Sequence, residues 1–140
     1  MDIEFYKNQH VELLDRLSKI ENRLESEISE SIEILLHELA GLSARLILHI
    51  SMEENFVFPR WKDLILKKER AFQEEYLKKA TDFKIAFKEY NSKWSLPSSI
   101  LQRESEFRKE TRRLIVSLRM IVKREEAEIY SILEKESDSN

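Results

Sequence analysis

Apolar residues recur along this chain at alternating spacings of three and four, the interval that stacks side chains on one face of an α-helix. The first series is Ile3, Tyr6, His10, Leu13, Leu17, Ile20 and Leu24, with Asp2 placed to cap it, and it predicts helix A over about 2–25. The polar stretch ESEISES at 25–31 interrupts the pattern. A second series, Ile28, Ile32, Leu35, Leu39, Leu42, Leu46, His49, Glu53 and Phe56, then runs without a missed step. It predicts helix B over about 28–57, ending before Pro59 at a Pro-Arg-Trp corner. Phe72, Tyr76, Ala80, Phe83, Phe87, Tyr90 and Trp94 mark helix C, about 64–93. Pro97 closes the next connection, and Ser99 with Gln102 has the spacing of a capping box. Helix D, about 99–133, carries Phe107, Thr111, Leu114, Leu118, Ile121, Glu125 and Ile132, and the tail EKESDSN is expected to fray.

Four such stripes, joined by mostly short connections, are best buried in one domain covering 1–140: an all-α, up-down-up-down antiparallel four-helix bundle. Composition agrees, since one Gly, two Pro and 36% charged beside 41% apolar residues suit long helices better than a turn-rich β fold. Gly41 lies inside helix B, where it costs ~1 kcal/mol relative to Ala and serves either a close helix contact or nothing. The net charge of −3 comes from acidic and basic residues spread along the chain, with no one-signed block for nucleic acid or an anionic membrane. No apolar run approaches ~18 to 20 residues, and the N-terminus has no basic region followed by an apolar one. A soluble, cytoplasmic protein is therefore expected; the absence of cysteine excludes disulfides and thiolate chemistry but also suits an oxidising compartment. A homo-oligomer or a protein partner is left open.

His10, His49, Glu53 and Glu125 stand at positions that the rhythm assigns to the core, where a lone polar group is costly unless it finds a partner. His49 and Glu53 are one turn apart, about 40° around the axis, so both can converge on one point. If helices A and B fold back about residue 28, His10 reaches the height of His49, and Glu125 enters from helix D. Two imidazoles with one or two carboxylates suit iron, manganese or zinc better than calcium or magnesium. The same four residues also fit a metal-free, hydrogen-bonded cluster that fixes the register of the bundle. His37, about 200° from Leu35 around the helix, is expected at the surface. Glu54 and Glu126 fall beside the seam, as solvated groups or partners of the ligands, and Tyr6 is placed to fill the core or, as the lesser alternative, to hydrogen-bond a ligand. A short echo at an offset of 72 pairs Glu53, Glu54, Val57 and Phe58 with Glu125, Glu126, Ile129 and Tyr130.

The segments NQHVELLDRL and LILHISMEENFVFP resemble the hemerythrin-like, or HHE cation-binding, domain, whose second helix carries H-x-x-x-E-E before an apolar-Phe-Pro ending. The resemblance implies a four-helix bundle around a non-haem di-iron site, with His10 and His49 as ligands of one iron and Glu53 as a bridging carboxylate. In that family helix D carries a further histidine, which falls on Ile121 here, followed by an acid that falls on Glu125 or Glu126. No histidine follows His49 anywhere in the chain, so the ligands of the second iron are missing from helices C and D. A full di-iron centre is therefore not expected. A mononuclear site of His10, His49, Glu53 and Glu125 is expected instead, in a protein of metal, oxygen or redox handling, the alternative being a metal-free structural or interaction module. Neither an open coordination position nor a substrate pocket is identified by the sequence, so no catalytic residue is assigned.

Overall fold

The computed structural model describes residues 1–65 and 69–138. Among them the protein is all-α, with no strand. Five helices follow in order: α1 (Ile3–Leu24), α2 (Ile32–Leu64), α3 (Arg70–Lys93), α4 (Pro97–Gln102) and α5 (104–138). The Asp2 carboxylate accepts the Phe5 backbone N–H at 3.2 Å and so starts α1, whose buried residues are the seven of the first series. A single 3₁₀ turn, Ile28–Glu30, links α1 to α2 and drops Ile28 fully into the core.

Cross-helix pairs set the directions. Arg23 meets Glu38 near one end of α1 and α2, and His10 meets His49 toward the other, so these two helices run antiparallel. Glu21 with Arg119 and His10 with Glu125 do the same for α1 and α5. Lys93 with Glu110 and Tyr76 with Glu125 relate α3 to α5, and Ser43 with Asn91 and Glu54 with Lys84 relate α2 to α3.

Two helices contain a π-turn, Glu53–Val57 in α2 and Glu126–Tyr130 in α5. Each inserts one residue into the 3.6-residue repeat and rotates everything beyond it. Helix B accordingly does not end before Pro59. The Phe58 N–H reaches back five residues to the Glu53 carbonyl, and the widened turn accepts a proline that lacks an N–H and would crowd a normal turn. The Pro-Arg-Trp segment is thus helical, and Trp61 is buried. The same rotation moves the seam from Phe56, which is 57% exposed, to Val57, which is fully buried. In α5 the seam likewise passes to Ile129, Tyr130 and Leu133, leaving Ile132 half-buried.

Other expectations are corrected at the ends of elements. Helix C begins at Arg70, residue 64 belongs to α2, and 66–68 lie outside the described residues. Pro97 opens α4 rather than closing a loop. Ser99 already donates its backbone N–H to the Leu96 carbonyl within that helix, so the capping box with Gln102 does not form. Residues 134–138 of the tail continue α5. By length and composition alone α2 would reach across a membrane, with a mean hydropathy of 1.3 in its most apolar window, although no apolar run of that length is uninterrupted in the sequence. Its stripe Leu35, Leu39, Leu42 and Leu46 is buried against the other helices.

The core divides into two apolar clusters along the helices. One runs from Leu13, Leu17 and Leu46 to Phe107 and Leu118, the other from Ile3 and Tyr6 to Trp61, Tyr76 and Leu133. His10, His49, Glu53 and Glu125 lie between them. The nearest atoms that a Cβ on Gly41 would meet belong to the flexible end of the Arg16 side chain, which can swing aside, and not to a neighbouring backbone. Gly41→Ala is therefore expected to raise stability by about 0.5–1 kcal/mol, read as a higher urea midpoint, whereas a loss would mean that a close helix approach was being protected.

Candidate metal centre

α1, α2 and α5 bring His10, His49, Glu53 and Glu125 together, all buried, with one ligand atom from each inside 4.8 Å of the others. His10 Nε2 lies 2.9 Å from Glu125 Oε1 and 3.1 Å from His49 Nε2. His49 Nε2 lies 3.0 Å from Glu53 Oε1 and 3.6 Å from Glu125 Oε1. All four residues named from the sequence thus share one site, while His37 is exposed.

The outward atoms of the same groups are already bonded. His10 Nδ1 donates to Glu126 Oε2 at 3.1 Å, because a carboxylate can only accept. His49 Nδ1 donates to the Gln9 amide oxygen at 2.7 Å, and the Gln9 amide nitrogen is turned to the Met52 sulfur at 3.5 Å. The Tyr76 hydroxyl donates to Glu125 Oε2 at 2.6 Å, and the Tyr130 hydroxyl donates to Glu53 Oε2 at 2.7 Å. Each ring therefore keeps a proton on Nδ1 and turns its Nε2 inward, free to carry a second proton or to bind a cation. His10 Nε2, His49 Nε2, Glu53 Oε1 and Glu125 Oε1 face one another, and the one hydroxyl beside them is that of Tyr130, 3.3 Å from His10 Nε2 with its proton on Glu53 Oε2. Such a cluster is stable only with added protons or with a cation.

The donor set fits a metal ion. Ligands ~2.0–2.1 Å from a tetrahedral zinc-like ion stand roughly 3.4 Å apart, and the four short separations, 2.9, 3.0, 3.1 and 3.6 Å, bracket that value. The carboxylate on His10 Nδ1 and the amide oxygen on His49 Nδ1 are the partners that orient imidazole ligands and raise their basicity.

Burial opposes charge on these groups. At His49 the hydrogen bonds to Glu125 and Glu53 outweigh it and raise the imidazole to about 9. Glu53 rises to about 8, first through burial and then through the neighbouring negative Glu125. At Glu125 burial is outweighed by hydrogen bonds from His10 and His49, which hold the carboxyl down at about 2. Tyr76 and Tyr130 are both pushed upward by burial and by the charge of Glu125, so they remain donors. Without a cation, His49 and Glu53 thus keep their protons at neutral pH and Glu125 is ionised.

Sequence reasoning missed Gln9 and Tyr130 and gave Tyr76 a packing role only. Gln9 adjoins His10 and its amide can reach across to α2. Tyr130 stands five residues beyond Glu125, a spacing that faces the site only because of the π-turn. Glu54 and Glu126, alike in the echo, differ in role: Glu126 holds His10, whereas Glu54 pairs with Lys84 in solvent at 2.9 Å. Tyr6 is buried and meets His49 and Tyr130 edgewise or tilted.

A cavity of about 290 Å³ opens between α2, α3 and α5. Its inner end is His49, Glu53 and Glu125, and its outer end carries Glu54, Lys62 and Lys84. Comparison with protein-family models, with curated proteins and with solved structures finds no match. The chemistry of this chain is therefore read from its own site.

The raised groups fix the sign of a pH effect. His49 stabilises the ion-free fold fully below its ordinary 6.5 and loses that contribution as pH rises through about 9. Glu53 loses its own between 4.5 and about 8. In chelator, the melting temperature is expected to fall steadily from pH 6.5 to 9, and Glu53→Gln to flatten the slope. A melting temperature that climbs over that range would contradict this assignment of protons.

Proposed function

We propose that this protein is a hemerythrin-like up-down-up-down four-helix bundle that binds one first-row divalent cation, iron first, with manganese or zinc as the other candidates. His10, His49, Glu53 and Glu125 are its ligands. The observation that carries the reading is the ring of four inward acceptors whose outward atoms are all committed elsewhere. The two imidazole nitrogens favour these metals over calcium or magnesium.

A single ion is favoured over two. The outer carboxylate oxygens that a second ion would need accept from Tyr76 and Tyr130, and the two phenol protons supply there what a second cation would. The antiparallel helix pairs and the motif in α2 support the hemerythrin-like bundle. A bound ion would supply Lewis-acid or one-electron chemistry. The chain's own residues fix the two ring tautomers and hold the carboxylates. Metal storage, sensing or redox protection is the role in view, with no catalytic residue assigned.

The metal-free reading has one observation behind it: protons on His49 and Glu53 can fill the same cluster. Elemental analysis of protein loaded anaerobically with ferrous iron or zinc separates the two. About one ion per chain is expected, falling below a tenth in His49→Ala, with a higher melting temperature in the loaded protein. Two ions per chain would contradict the role given to the tyrosines, and none would leave the structural module.

A further inference from the structure

The cavity that reaches the site is built differently from the rest of the core. Protein interiors are close-packed, and the α3 seam fills its own with Tyr76, Phe87, Tyr90 and Trp94. Ala80 is the one small residue in that seam, one turn from Tyr76, and the cavity opens beside it. Its walls are apolar, with Leu46, Phe58, Leu77 and Leu118 among them. The floor is polar, and it presents His49, Glu53 and Glu125 but not His10, Tyr76 or Tyr130. The cavity thus approaches the four-residue cluster from the side that α1 leaves open. At the mouth Lys62 and Lys84 outnumber Glu54, and Glu54 is already paired with Lys84. Lys62 has no acidic partner among the described residues.

We propose that this cavity binds a small aliphatic monocarboxylic acid, with its carboxylate on the polar floor and its chain along the apolar walls. The inference rests on the single-cation reading above, because the ion is what gives the head group a positive partner on a floor that also carries the Glu125 carboxylate. A volume of about 290 Å³ is at the small end of ligand pockets and suits a short chain rather than a long lipid. The lysines at the mouth favour an anion over a neutral or cationic molecule of the same length.

The test loads the full chain with cobalt(II), measures cobalt content, and titrates straight-chain acids from acetate to octanoate while following the visible cobalt absorption. Affinity is expected to rise about fourfold per methylene until the cavity is full. Ala80→Phe is expected to weaken hexanoate binding at least tenfold with cobalt content unchanged. If Ala80→Phe misfolds by circular dichroism, Ile121→Ala replaces it, and the longest well-bound chain should then lengthen. Failure to take up cobalt would overturn the metal reading and this inference together. A loaded protein whose affinity ignores chain length and both variants would overturn this inference alone, and hexanol binding as tightly as hexanoate would overturn the carboxylate.

Discussion

The structure turns on four acceptor atoms held against one another inside an apolar interior. A buried acceptor without a donor is destabilising, and four together are tolerable only when positive charge or protons sit among them. Everything nearby serves that arrangement. Glu126 and Gln9 take the outer ring protons of His10 and His49, while Tyr76 and Tyr130 take the outer oxygens of Glu125 and Glu53. Beyond one another, the inner atoms meet only the Tyr130 hydroxyl, 3.3 Å from His10 Nε2.

The scaffold holds this cluster by separating two apolar cores. One cluster lies toward the α1–α2 turn and the other toward Trp61 and Leu133, so the polar layer is closed above and below by packed side chains. The π-turns are placed at the same layer. In α2 the π-turn starts at Glu53, and in α5 it follows Glu125 directly, so both helices change phase where they pass the site. One consequence is that Tyr130, rather than a residue three or four beyond Glu125, faces Glu53. Another is that α2 passes through Pro59 and brings Trp61 into the core.

Much of this was legible in the amino-acid sequence. The 3–4 rhythm names every buried residue of α1, the buried stripe of α2 through Glu53, and the four polar residues that meet, because burial of one helical face depends on spacing alone. The rhythm failed at the π-turns, and also in regular helix, where Gln73 is buried beside Phe72 and Val122 beside Ile121. Phe56 was placed inside and Val57 is there instead, and Ile132 gives way to Leu133. Gln9 and Tyr130 were invisible for a related reason: each contributes through one hydrogen bond at its tip, set by tertiary placement rather than by sequence spacing. The cavity beside Ala80 depends on how three helices sit together, which no single stripe encodes.

The most direct test is nitrogen-15 NMR of the histidine side chains in zinc-loaded protein. His10 and His49 should both show metal-bound Nε2 and protonated Nδ1, with His37 unchanged from the zinc-free protein. A proton on Nε2 of either buried ring in the presence of zinc, or a response confined to His37, would contradict a cation held among these four residues.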